Sequence, residues 1–62
     1  MAKKYALVLR RAGLYELQRE GERIGRVIRC EDGWSIQLDA DMPRRSDPWR
    51  TLDDVRNFLA TQ

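Results

Sequence analysis

Few residues in this chain have the type and spacing to do chemistry. Glu31 and Asp32 form a carboxylate pair of the kind general acid–base work needs. They stand beside Gly33 in a turn, where adjacent exposed acids are solvated. Asp39 and Asp41 could both reach one metal ion, yet no third ligand stands at a sensible spacing. Cys30 has no basic partner in the sequence to activate it as a nucleophile. The chain has no histidine, which removes most triad, acid–base and metal chemistry. Its 4 glycines are dispersed at turns and in a strand, so there is no phosphate loop. The residues point away from an enzyme, with no cofactor and no metal expected, and toward binding.

Arginine is the residue suited to binding. It supplies ten of the 12 basic groups, and its guanidinium grips carboxylate or phosphate bidentately. A GC-rich coding sequence would produce the same bias. The net charge of +2 and pI of about 9.1 lean only mildly toward anionic partners. With 62 residues the chain reads as one domain, 1–62. A domain this short hides only about 60% of its unfolded surface and has no room for a deep cleft. Hydrophobic residues at 42% and charged residues at 35% fit a globular chain. No apolar run approaches the roughly 20 residues of a membrane span, and no signal peptide is visible. The lone Cys30 cannot form an internal disulfide and reads as core. A cytoplasmic protein is expected.

The elements that position these groups are organised by the stretch Ile24 to Leu38. Side chains alternate between the faces of a strand. A three-residue loop, Glu31-Asp32-Gly33, would pair Cys30 with Trp34 and Ile28 with Ile36, placing the large apolar groups on one face. Gly33 would take the left-handed position of that loop. Arg11-Ala12-Gly13 repeats the pattern upstream and pairs Leu9 with Tyr15 and Leu7 with Leu17. A Gly21-Glu22 turn would then pair Tyr15 with Ile28. The expected inner face is Tyr5, Leu7, Leu9, Tyr15, Leu17, Ile24, Ile28, Cys30, Trp34, Ile36 and Leu38. Arg26 interrupts it. Its stem is buried while its head reaches out past the helix, the preferred alternative, or it pairs with Asp54 or Asp41, or a bulge at Gly25 turns it outward.

Met1-Ala2-Lys3-Lys4 is a basic start that reads as frayed. Asp39 to Arg50 is a twelve-residue connection with two prolines. It is expected to pack through Trp49 and leave Arg44 and Arg45 exposed. Thr51 is a fitting N-cap, with Asp54 three residues on. Leu52, Val55, Phe58 and Leu59 form one stripe at helical spacing. The helix, about 16 Å long, should close the core, with Phe58→Ala costing about 3–5 kcal/mol. The expected fold is α+β: a four-stranded antiparallel β-meander with one C-terminal α-helix packed on one face, β-β-β-β-α.

On this reading the face the helix leaves uncovered displays Val8, Leu14 and Val27 as an apolar centre. Arg10, Arg23, Arg29 and Gln37 surround it, and the loop adds Arg44 and Arg45. An apolar centre with a polar rim is how interfaces are built. These nine residues are the candidate partner-binding set, against the plain alternative of a solvated sheet face. The favoured function is a non-enzymatic module that docks stoichiometrically on a larger protein or nucleoprotein complex. In size and style the chain resembles phage- and plasmid-encoded accessory proteins, among them anti-CRISPR proteins and inhibitors of host polymerases. The alternative is nucleic-acid binding. The stretch GRVIRCEDGWSIQL followed by TLDDVRNFLA is similar to the three-stranded sheet plus helix of integrase-arm and AP-two-type DNA-binding domains. That resemblance implies a sheet in the major groove with Arg and Gln at base edges. A third resemblance, of EDGWSIQLDADMP and TLDDVRNFL, is to HicB-type antitoxins, from which the N-terminal hairpin departs.

Overall fold

The computed structural model describes residues 4–62. Of the start Met1–Lys4 read as frayed, residues 1–3 lie outside the described residues, while Lys4 is held, its carbonyl accepting from Glu20 N at 2.9 Å. Four antiparallel strands form one sheet in chain order: β1 (Tyr5–Arg11), β2 (Leu14–Arg19), β3 (Glu22–Cys30) and β4 (Gly33–Leu38). A 3-10 turn at Asp39–Asp41 follows, then helix α1 (Leu52–Ala60). The expected α+β meander with one terminal helix is what the chain forms.

The first hairpin keeps the expected pairs, Leu9 facing Tyr15 and Leu7 facing Leu17, but its loop is Ala12-Gly13 rather than Arg11-Ala12-Gly13. Arg11 faces Leu14, and Arg10 is the extra residue at the irregularity between Leu9 and Arg11. Gly13 takes φ 80°, which only a residue without a Cβ holds cheaply. The second turn is Glu20-Gly21, not Gly21-Glu22. Both residues have positive φ, 53° and 87°, as the tightest two-residue hairpin loop demands. Arg19 therefore faces Glu22, and Gln18 faces Arg23.

One residue later the register shifts. Leu17 faces Gly25 and Tyr15 faces Val27, so Ile24 is the extra residue of a bulge. Without that insertion Ile28 and Cys30 would face inward. With it, every side chain from Gly25 to Cys30 is turned over. Val27 becomes fully buried, with 0% of its surface exposed. Ile28, Cys30 and Arg26 move to the opposite face, which corrects the expected inner placement of all three. Gly25 lies against the backbone of β4: a Cβ there would sit 2.5 Å from Gln37 O and 2.9 Å from Leu38 Cα.

The last hairpin compensates. Its loop is Glu31-Asp32, with Cys30 facing Gly33, Val27 facing Ile36 and Arg29 facing Trp34. The three-residue loop is thus replaced by a two-residue one. β4 keeps its expected face while β3 alone is inverted. Gly33 has φ 135°, and a Cβ on it would overlap the carbonyl of Trp49.

Thr51 caps α1 as expected, its Oγ1 accepting from Asp54 N at 3.1 Å. Val55 and Leu59 bury against Leu17, Val27 and Ile36 to make the core, with Tyr5, Leu7, Tyr15, Ile24, Trp34, Leu38, Trp49 and Leu52 packed around it. Phe58 departs from the expected stripe. It is 40% exposed and lies on Trp49 at a ring separation of 4.9 Å. Its truncation should cost less than a core Phe would. Leu9 shares the helix-bearing face yet is 62% exposed, at the outermost strand.

The inversion of β3 predicts opposite outcomes at neighbouring positions. Val27→Asp buries an unpaired carboxylate, a cost of several kcal/mol against a total stability of about 5–15 kcal/mol. It should abolish the cooperative thermal melt, while Ile28→Asp should retain it. Gly25→Val should lower Tm, because the atoms it meets are backbone and overpacking costs about 1–3 kcal/mol. Retained folding of Val27→Asp with loss in Ile28→Asp would restore the other register.

Candidate interaction face

The sheet face opposite α1 follows from this register. Two rows cross it. Val8, Glu16, Arg26 and Gln37 are successive partners from β1 to β4, and Leu14, Ile28 and Ser35 are partners from β2 to β4. Leu14 and Ile28 stand directly opposite each other and are both half-buried. Val8, also half-buried, lies one diagonal from Leu14, a separation of about 7–8 Å across an antiparallel pair. The apolar centre of the face is therefore Val8, Leu14 and Ile28.

Several of the residues expected here are placed elsewhere. Val27 is core, because the bulge at Ile24 turns it inward. Arg29 faces Trp34 on the helix-bearing side, where it is exposed. Gln37 is on the outer face but only 5% exposed, because the segment after β4 folds back over it. Arg23 stands on the outer face opposite Gln18, 3.4 Å from Asp39 in an exposed ion pair. Such pairs contribute about 0–1 kcal/mol, so Arg23 is loosely held. Val8, Arg10 and Leu14 lie on the face as expected, and Arg44 and Arg45 are exposed.

The returning segment explains the burial of Gln37. Residues 43–49 run antiparallel along the edge of β4 that β3 does not use. Ser46 N donates to Ile36 O at 2.9 Å, and Ser46 Oγ accepts from Ile36 N at 2.8 Å. Trp34 and Trp49 exchange two backbone bonds of 2.7 and 2.8 Å. Side chains tie this strap to the outer face. Arg26 Nε donates to Gln37 Oε1 at 2.8 Å, and Gln37 Nε2 donates to Pro43 O at 2.9 Å. Arg45 Nη1 reaches Cys30 Sγ at 3.4 Å, and that thiol donates to Ser35 Oγ at 3.5 Å.

Charge on the face is mixed. Glu16 sits inside it, its Oε2 accepting from Gln18 Nε2 at 2.7 Å. Arg10, Arg26 and Arg45 stand around the apolar centre. An open depression at the β3–β4 hairpin brings Arg29 and Arg50 near Glu31 and Asp32, two charges of each sign. Among the described residues no group of three or more His, Cys, Asp or Glu could hold a metal ion. None of their helices is long and apolar enough to cross a membrane. Arg26, Ile28 and Cys30 are the face residues that the sequence pattern places on the inner side, and Gly25 in mid-strand is the signal for all three. Comparison with protein families, curated proteins and solved structures found no match.

Gln37 is the joint between face and strap. Gln37→Leu keeps the bulk but leaves Arg26 Nε and Pro43 O without their partner. Orphaned polar groups cost about 1–3 kcal/mol. Tm should fall, and residues 39–50 should become the first site of limited proteolysis. An unchanged melt and cleavage pattern would mean that the backbone bonds to Trp34 and Ile36 hold the strap alone.

Proposed function

We propose that this chain is a small non-enzymatic protein-binding module that works by stoichiometric docking through the outer sheet face. The observation that carries this is the half-exposed trio Val8, Leu14 and Ile28 on the face that α1 does not cover. A partner that buries the trio gains hydrophobic free energy, at about 25 cal/mol per Å² of apolar surface. Arg10, Arg26 and Arg45 then grip acidic groups at the rim. The partner is a larger protein or nucleoprotein complex, apolar where it meets Leu14 and acidic around that point. Occupying such a surface is how a phage- or plasmid-encoded inhibitor or adaptor of anti-CRISPR style would act, in the cytoplasm.

Nucleic acid fits the face less well. Glu16 stands beside Val8 and Arg26 in the middle of it, where a carboxylate would meet phosphate or base edges. The basic groups are spread around the rim rather than aligned along a backbone track.

Leu14→Asp and Arg10→Glu test the proposal, since neither side chain belongs to the core. In affinity capture from the source organism, proteins retained by the parent should be lost with Leu14→Asp, at least ten-fold in a titration of the purified partner. Arg10→Glu should slow association more than it speeds dissociation. Both melts should stay within a few degrees of the parent. DNA and RNA titrations at two salt concentrations complete the test. Tight binding that falls steeply with salt and survives Leu14→Asp would replace the protein partner with nucleic acid.

A further inference from the structure

The two edges of the sheet are treated differently. The edge of β4 is occupied by the strap through Ser46 and Trp49. At the other edge, no described residue pairs with β1 on its far side. We propose that this edge of β1 pairs with the same edge of a second copy of the chain, antiparallel and two-fold symmetric about Val8.

The direction of the free backbone groups is set by the first hairpin. Glu20 N donates to Lys4 O at 2.9 Å. Antiparallel partners alternate between bonded and non-bonded pairs. The even residues of β1 therefore bond to β2, and Tyr5, Leu7 and Leu9 turn their N–H and C=O groups to the open side. Natural edge strands are guarded by charges, prolines or bulges. Tyr5–Leu9 carries no charge and no proline, and the irregularity comes only between Leu9 and Arg11. The stretch is an unguarded template.

Charge selects the occupant and the register. Centring the pair on Leu7 would set Lys4 opposite Arg10 of the second copy, twice, and like charges directly opposite are destabilising. Centring on Val8 sets Leu7 opposite Leu9, Ala6 opposite Arg10, and Val8 opposite itself. No like charges then meet between Ala6 and Arg10. The pairing also covers Leu9, whose 62% exposure is the largest among the exposed large hydrophobics. The apolar, uncharged run Ala6–Leu9, self-complementary about Val8, fits another β1 better than an acidic or basic segment. Two four-stranded sheets then become one, and the outer faces of the two copies lie side by side across the two-fold axis.

Sedimentation over a concentration series tests this. The parent should shift from the 7.3 kDa chain to twice that mass as concentration rises. Leu9→Lys puts an inward-facing charge on the edge and should move the midpoint at least ten-fold higher, with the melt of the dilute protein unchanged. Leu14→Asp should associate like the parent. The register has its own test in a Cys30→Ser background. Val8→Cys should give a covalent dimer on oxidation, because residue 8 meets itself in the closer, non-bonded kind of pair, whose Cα separation of about 4.5 Å suits a disulfide. Ala6→Cys should not. A parent that stays at 7.3 kDa throughout would overturn the proposal. So would association lost with Leu14→Asp but kept with Leu9→Lys, which places the contact on the outer face. A monomeric parent whose partner capture is lost with Leu9→Lys would assign the edge to a strand of another protein. The docking proposal above fails on Leu14→Asp in partner titration and this one on Leu9→Lys in sedimentation, so either can fall alone.

Discussion

A single inserted residue governs this structure. The bulge at Ile24 shifts the pairing of β3 against β2 by one, and period-two alternation carries that shift through every side chain from Gly25 to Cys30. Val27 enters the core, and Ile28 and Cys30 leave it. The two faces are thereby defined, and with them which residues can meet a partner. Gly25 permits this, since β3 and β4 approach so closely there that a Cβ would collide with the backbone of Gln37 and Leu38. The same inversion carries Arg26 outward to Gln37, which ties the strap down. Core, open face and loop thus depend on one local irregularity.

The strap is the second constraint. A core of five buried apolar side chains, Leu17, Val27, Ile36, Val55 and Leu59, leaves a chain of this length with little stability to spare. Residues 43–49 add to it by satisfying the outer edge of β4 and by bringing Trp49 against Phe58. They also deliver the chain to Thr51 at the right place for α1 to cross the inner face. Gly33 is the counterpart of Gly25 here. It is bare because the strap's carbonyl at Trp49 needs the space.

Much of this was legible in the sequence. Strict alternation in Tyr5–Leu9, the glycine after Arg11-Ala12, and the Thr51–Asp54 cap each carry a local signal. The strand pairs of the first hairpin and the capped helix were legible in them, apart from the two-residue loop at Ala12-Gly13 and the exposure of Phe58. β3 was not, because Ile24, Ile28 and Cys30 alternate convincingly in one register while Val27 counts as one residue against them. Two one-residue errors, at Glu20-Gly21 with its bulge and at Glu31-Asp32, cancelled by β4 and left the summed pattern self-consistent. The cue lay in Gly25, a strand glycine whose use is a bulge or a close backbone approach. Burial of Ser35 and Gln37 had no sequence signal, since the strap that covers them has no periodicity and pairs through its backbone.

The distribution of apolar groups then follows from geometry rather than composition. An antiparallel sheet with one helix has one covered face, and α1 with nine residues spans only part of its width. It sits over β2, β3 and β4, where Leu17, Val27 and Ile36 meet Val55 and Leu59, and Leu9 at the β1 margin stays exposed. On the far face the bulge delivers Ile28 beside Leu14. Among the described residues, the sheet is thus left with uncovered apolar surface in two separate places. One is a strand margin with free backbone groups, and the other is a face with a rim of arginines. They differ in the chemistry that would cover them: a margin calls for another strand, and an arginine-rimmed face calls for a shaped, acidic surface. Because Leu9 points to one side of the sheet and Leu14 to the other, covering one does not obstruct the other.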